Sequence, residues 1–269
     1  MQYLLGILGL VAFSIGVWSF SGQSAVEQNQ HQNQEEQQMQ DVITETDELE
    51  EYQVADVDFV NAGELISAEV MTDLTQDEID GLRYMREEEK LARDVYLALY
   101  EHWNIPIFNN IAGSESTHMA AVRTVLEKYG LDDPASERRG EFNNEVLQSL
   151  YDQLVADGKT SKAAAFTVGA KIEDLDIRDL EQNIDATDKA DIRIVYESLQ
   201  RGSRNHLRAF NRQLFNETGS NYVPEFISNE TFEAIIASSV ERGSLQGQGG
   251  EVRNGGGQRQ GNGNGQGRN

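Results

Sequence analysis

Residues 106–130 read PIFNNIAGSESTHMAAVRTVLEKYG, the segment with the most informative pattern in the chain. Phe108, Ile111, Val122, Val125 and Tyr129 recur at the three- and four-residue spacing of one helix face. Pro106 suits a first helical turn and Gly130 suits the residue past a last one. The spacing predicts a helix B over about 106–130. Two members of its face are wrong for a core. Glu115 and His118 stand three residues apart, as neighbours, in the middle of the apolar stripe.

The same defect recurs on either side. Helix A is expected from Thr75, where Thr75-x-x-Glu78 forms a capping box, to about Trp103. Its stripe reads Leu82, Met85, Glu89, Ala92, Tyr96, Leu99, Trp103. A parallel stripe with Tyr84, Leu91 and Val95 carries Glu88; the Glu89 stripe is preferred because it continues further. Helix C, about Ser161–Ile184, reads Phe166, Ala170 or Gly169, Glu173, Ile177 or Asp176, Leu180, Ile184. Helix D, about Thr187–Glu217, reads Ile192, Val195, Leu199, Gly202, His206, Ala209, Gln213. A shorter helix is expected at about Asn144–Ala156, closed by Gly158, and a last one at about Asn229–Arg242. Strand signals are nearly absent from 70–240. The fold class is therefore all-α. The A–B and C–D turns are short, so each pair is an antiparallel hairpin, and the B–C link is long enough to cross over. That is the ferritin-like version of the four-helix bundle.

Each long helix thus places a carboxylate or imidazole in mid-stripe: Glu89 on A, Glu115 and His118 on B, Glu173 with Asp176 three residues on from C, and His206 on D. Acids converging in a core without Lys or Arg on the same stripes repel one another, and each costs several kcal/mol to bury unpaired. Two divalent cations resolve the conflict. Carboxylates with about one His per metal favour iron or manganese, with zinc also open. Glu87 and Glu101 read as solvated helix charges, His102 as a helix-end residue, and Glu181 and Glu197 as exposed. Asp179 and Asn205 are candidate partners for the His rings.

Composition bounds the rest. The 269 residues carry 46 acids, 22 bases and no Cys, for a net charge of −24. Zero Cys excludes disulfides, thiolate metal sites and a Cys nucleophile. The charge argues against nucleic acid as a partner. Much of the acidity sits in residues 1–82, which hold 17 acids and neither Lys nor Arg. Residues 3–20, YLLGILGLVAFSIGVWSF, are uncharged over 18 positions, so 1–25 reads as a signal peptide or a membrane anchor. The protein is expected to be exported, or held at the membrane through 3–20. Residues 26–70 read as an acidic, Gln-rich disordered arm and 243–269 as a Gly/Gln/Asn/Arg-rich tail. That leaves 71–242 for the bundle.

The motifs resemble the rubrerythrin and ferritin-like superfamily. Glu89-Lys-Leu-Ala-Arg-Asp-Val-Tyr96 is similar to its first-helix E-x-x-A-R-x-x-Y, and Ile111-Ala-Gly-Ser-Glu115-Ser-Thr-His118 to its second-helix I-A-x-x-E-x-x-H. Glu173-Asp-Leu-Asp176 resembles the third-helix stretch with a Glu and a second acid. Gly202-Ser-Arg-Asn-His206-Leu-Arg-Ala-Phe210 resembles an uncharacterised bacterial family labelled only as domain of unknown function 2202. The resemblance implies a di-iron centre reacting with peroxide, dioxygen or Fe(II). Glu115 would bridge, Glu89 and Glu173 would flank, and His118 and His206 would be terminal ligands. Tyr96 is the candidate catalytic side chain, donating a hydrogen bond to a ligand or an electron, although a core anchor is its more ordinary role. One departure stands out: the superfamily has a second E-x-x-H on helix D, and here Ser203 holds the Glu position, with Asp176 as the candidate replacement. The Cys-ligated iron of rubrerythrins has no counterpart here, so turnover would need an external electron donor. A homodimer is among the expectations. The other class of function left open is a non-catalytic metal-binding or structural bundle.

Overall fold

The structure is a computed structural model, and it describes residues 73–241. The expectations for 1–25, 26–70 and 243–269 lie outside the described residues. Among the described residues there are six helices and no strand: α1 Gln76–Trp103, α2 Pro106–Lys128, α3 Glu145–Gly158, α4 Lys162–Ala186, α5 Ala190–Thr218 and α6 Asn229–Ala237. None of them is long and apolar enough to cross a membrane. The all-α expectation holds.

Local chemistry sets the ends. Thr75 and Glu78 form the expected capping box on α1, which satisfies N–H groups that the first turn leaves without helical partners. Asn104 closes α1 in the left-handed region at φ 53°, which Asn tolerates better than most residues. Only Asn104 and Ile105 separate α1 from α2, and α2 opens on Pro106. Ser161 caps α4, and Gly219 ends α5 at φ 76°. The last helix is shorter than the sequence predicts. It stops at Ala237 because Ser238 turns extended and the chain beyond is bound by α5 instead. Arg204 and Arg208 pair with Glu241, and Asn205 exchanges two hydrogen bonds with the Glu241 backbone.

Contacts run α1 to α2, α2 to α5, α5 to α4 and α4 to α1, which closes a ring. Helix α3 lies against α1 and α4, and α6 against α5. The apolar core is split in two. One cluster holds Leu91, Val95, Leu99, Ile107, Phe108, Ile111, Phe166 and Phe210. The other holds Leu82, Met85, Val122, Val125, Leu126, Leu180, Ile192, Val195 and Leu199. In each cluster early α1 meets late α2 or late α1 meets early α2, so the two helices run antiparallel. Each fully buried Leu or Phe stabilises by about 1.5–3 kcal/mol. The stretches left between the clusters, near 86–90 on α1, 113–118 on α2 and 202–206 on α5, hold the acids and imidazoles.

The outer face of α1 fastens the α2–α3 connection. Arg86 donates to Asp133 through Nε and Nη2 at 3.0 and 2.8 Å. Lys90, fully buried, pairs with Asp94 at 2.6 Å and donates to the carbonyls of Arg138 and Glu141. Glu87 corrects the sequence reading. It is buried rather than solvated, and accepts from the N–H groups of Asn143 at 2.7 Å and Asn144 at 3.2 Å. The partner is a loop more than fifty residues away, which helical periodicity does not register. Glu101, Glu181, Glu197 and His102 are exposed, as expected.

Candidate metal centre

Five side chains meet between the two apolar clusters. Each long helix of the ring supplies at least one: Glu89 from α1, Glu115 and His118 from α2, Glu173 from α4 and His206 from α5. All are at most 2% exposed. They form two groups whose ligand atoms lie within 4.8 Å of one another: Glu89, Glu115 and His118, then Glu115, Glu173 and His206. Glu115 belongs to both. Its Oε2 is 2.8 Å from His118 Nδ1, and its Oε1 is 2.9 Å from His206 Nδ1. Glu89 Oε2 is 3.2 Å from His118 Nδ1, and Glu173 Oε2 is 3.5 Å from His206 Nδ1. Neighbouring donors on one ion with bonds of about 2.1 Å sit about 3 Å apart. Glu115 Oε1 and His206 Nδ1 are close yet outside hydrogen-bond geometry, and Glu89 Oε1 has no hydrogen-bond partner. These buried Glu and His clusters could hold metal ions, and hard oxygen donors with imidazole nitrogen suit such a group.

Neighbouring side chains hold these groups in place. Tyr96 donates to Glu173 Oε1 at 2.5 Å. Ser114 Oγ lies 3.2 Å from His206 Nε2. The His118 and His206 rings stack at 5.6 Å, 24° apart. Gly202 makes room for them, since a Cβ there would sit 2.7 Å from His118 Cε1 and Nε2.

Electrostatics is settled by who neutralises whom. Burial pushes the Glu89 carboxyl up to about 8, against the pull of His118. Burial raises Glu173 as well, and the Glu115 charge adds to it while His206 opposes. Burial works against the Glu115 carboxylate too, but His118 and His206 outweigh it and hold Glu115 well below the usual range. Burial would lower both imidazoles. Glu115 and Glu89 instead raise His118 well above its ordinary value, and Glu115 and Glu173 raise His206 to about 10. In the metal-free chain, then, protons supply positive charge that cations would otherwise bring.

The remaining candidates lie elsewhere. Asp176 is buried but belongs to neither group; the Ser203 hydroxyl donates to one of its oxygens, and the other has no hydrogen-bond partner. Glu173, rather than Asp176, completes the second group. Asp179 pairs with Arg178, and Asn205 binds Glu241 and Arg208, so neither orients a His ring through a hydrogen bond of its own. Ser114 fills that role for His206. Its signal was its place one turn before His118 on α2. Glu88 is buried beside Glu89, and neither of its oxygens meets an N–H or hydroxyl donor.

Comparison with known proteins agrees in extent with this fold. The chain is 54% identical over 181 residues to the uncharacterized protein MJ0754 of Methanocaldococcus jannaschii, which covers 67% of this chain and 97% of that protein. The crystal structure of hypothetical protein MJ0754 from Methanococcus jannaschii superposes with a TM-score of 0.63 at 53% identity, covering 65% of this chain and 99% of that one. Residues 78–239, which hold all five converging side chains, match the model of an uncharacterized protein domain, DUF2202, and the chain belongs to that family.

Proposed function

We propose that the ring of α1, α2, α5 and α4 is a ferritin-like four-helix bundle whose centre holds two metal ions, and that the protein is an oxidoreductase acting on peroxide, dioxygen or Fe(II). The observation that carries the reading is Glu115, whose two oxygens each face a different imidazole, one beside Glu89 and one beside Glu173. Two short-turn hairpins and the long α2–α3 link support the bundle topology.

The donor set assigns the roles. Glu89 and His118 would hold one ion, Glu173 and His206 the other, and Glu115 both. Iron bound there would supply one-electron chemistry with an oxygen-based oxidant. The chain supplies the rest. Tyr96 holds Glu173 in one rotamer, Ser114 positions His206, and the apolar clusters on either side keep water from the ligands. With no Cys in the chain, electrons for turnover come from an external donor. The proposed location is the cell envelope, by export or by a membrane anchor at residues 3–20.

The test is anaerobic loading of the full chain with Fe(II), elemental analysis, then mixing with hydrogen peroxide. Two irons per chain and oxidation faster than that of free Fe(II) are expected, both lost in Glu115→Ala. Iron that washes off the wild type would end the metal-centre reading. Tight Zn(II) binding without any oxidant reaction would leave a structural centre and end the enzyme reading.

A further inference from the structure

Glu88 is a carboxylate that the dinuclear reading does not use. It is 2% exposed, and neither oxygen meets an N–H or hydroxyl donor; its close polar partner is another acid, the Asp179 carboxyl. Its strongest charged neighbours are the carboxyls of Asp179 and Glu89; Arg178 is the opposing charge. The Arg178 guanidinium is already bound to Asp179 at 2.6 Å. Asp176, with one oxygen lacking a hydrogen-bond partner, lies among Glu89, Glu88 and Glu173. Glu173, Asp176 and Asp179 follow one another at three-residue spacing on α4, Glu88 adjoins Glu89 on α1, and these acids stand within electrostatic reach of one another between a surface cleft and the metal centre.

The outer end of this set is open. Asp179 lines the cleft, of about 600 Å³ between α1 and α4, together with Asp77, Asp80, Arg83 and Tyr84. The Tyr84 phenol stands within electrostatic reach of Glu88, Asp179 and Asp176. Glu87 lines the same cleft and is the instructive contrast. Its oxygens are taken by two backbone N–H groups, so it is a fastening for the loop. Glu88, one residue on, has no such donors. Facing carboxylates in a dry interior are held together by a shared proton or by a cation. Neutral peroxide or dioxygen would gain nothing from such a lining, whereas a divalent cation gains at every step.

We propose that this cleft is the inlet through which divalent cations reach the centre, with Asp179 receiving the ion and Glu88 and Asp176 passing it inward to Glu89. The inference rests on the metal-centre reading and adds its route. Ions dwell on the relay and do not stay, because Glu88 and Asp176 belong to neither of the groups whose ligand atoms converge closely.

The full metal-free chain is mixed anaerobically with Co(II) in a stopped-flow instrument, and the visible absorption of bound Co(II) is followed. Glu88→Gln and Asp179→Asn are compared with wild type and with Glu101→Gln, which removes an exposed charge paired with Arg139. Both relay variants are expected to reach the wild-type end point about tenfold more slowly at low Co(II), and Glu101→Gln to match wild type. Glu88→Gln keeps the side chain's shape and is neutral in a dry interior without taking up a proton, so its thermal unfolding is expected at or above wild type. Relay variants that load at the wild-type rate overturn the route alone. A lower Co(II) end point in Glu88→Gln overturns it by making Glu88 a ligand. A wild type that takes up no Co(II) overturns the centre and the route together, before any variant is compared.

Discussion

Glu173 and Asp174 are adjacent in the chain and equally hidden, yet they meet opposite surroundings. Asp174 accepts hydrogen bonds from Tyr222 Oη and from the N–H groups of Glu225, Phe226 and Ile227, which ties the segment after α5 onto α4. Glu173 faces the interior, where Tyr96 donates to one oxygen and Glu115 and His206 surround the other. The same split divides Glu89, turned to the centre, from Lys90, which with Asp94 fastens the α2–α3 connection. Burial alone does not mark a site. An acid whose lone pairs are filled by donors is architecture, and one that meets other acids with its lone pairs open is a place for a cation.

The largest effects should separate these classes by stability. Asp174→Ala strands four donors and is expected to cost about 3–5 kcal/mol in chemical denaturation, with or without metal. Lys90→Met leaves the Arg138 and Glu141 carbonyls without their donor, while Asp94 keeps Arg93 and the Gly140 N–H, so it should cost less, about 1–3 kcal/mol. Glu89→Gln replaces a carboxyl whose charged form burial already disfavours, so in metal-free protein it should cost nothing or stabilise by about 1 kcal/mol, while abolishing stabilisation by metal. If Glu89→Gln proves as damaging as Asp174→Ala, the two acids are not different in kind.

The buried acids of the centre also respond differently to pH. Glu89 and His206 have folded values of about 8 and about 10, above their unfolded values of 4.5 and 6.5. Their contribution is complete below the unfolded values and is lost as pH rises, Glu89 across 4.5 to 8 and His206 across 6.5 to 10. Glu115 is depressed, so its contribution is present above 4.5 and lost as pH falls toward its folded value. Metal-free protein is therefore expected to be most stable near pH 5 and to weaken toward pH 10 in thermal melts. Metal displaces these protons, so its stabilisation should grow with pH. A metal-free melting temperature that climbs from pH 5 to 10 would contradict this charge balance. So would a Glu89→Gln slope across 4.5 to 8 as steep as the wild type's.

Smaller effects come from the glycines. Gly202→Ala drives a methyl against the His118 ring and should lower metal affinity about 10–100-fold. Gly158→Ala meets Leu99, with its Cβ 2.7 Å from a side-chain carbon, and should cost about 1–3 kcal/mol while leaving metal affinity unchanged. Equal loss of affinity in both would mean that Gly202 acts only on stability.

Much of this was legible in the sequence because the helices are long, amphipathic and capped by side chains beside them. Thr75 with Glu78, Pro106 and Ser161 mark helix starts locally, and mid-stripe Glu89, Glu115, His118, Glu173 and His206 mark the site. What stayed hidden depends on partners distant in the chain. Glu87, Lys90, Asp94 and Asp174 look like ordinary surface charges until the α2–α3 connection and the segment after α5 cover them. Asp176 shares the correct helix face, but Ser203 from α5 claims one of its oxygens. Glu88 and Glu89 looked like alternatives, and both are buried, on adjoining faces of α1. Spacing assigns a residue to a face; it does not say what the neighbouring helix or loop brings to that face.

The proposed centre stands or falls on Glu115 being shared by two ions. Anomalous diffraction from crystals of the full chain soaked in Mn(II), collected just to the short-wavelength side of the manganese absorption edge where its anomalous signal is strong, locates the ions. Two peaks per chain are expected, one among Glu89, Glu115 and His118 and the other among Glu115, Glu173 and His206. A single peak away from Glu115, or none at millimolar Mn(II), would contradict that sharing.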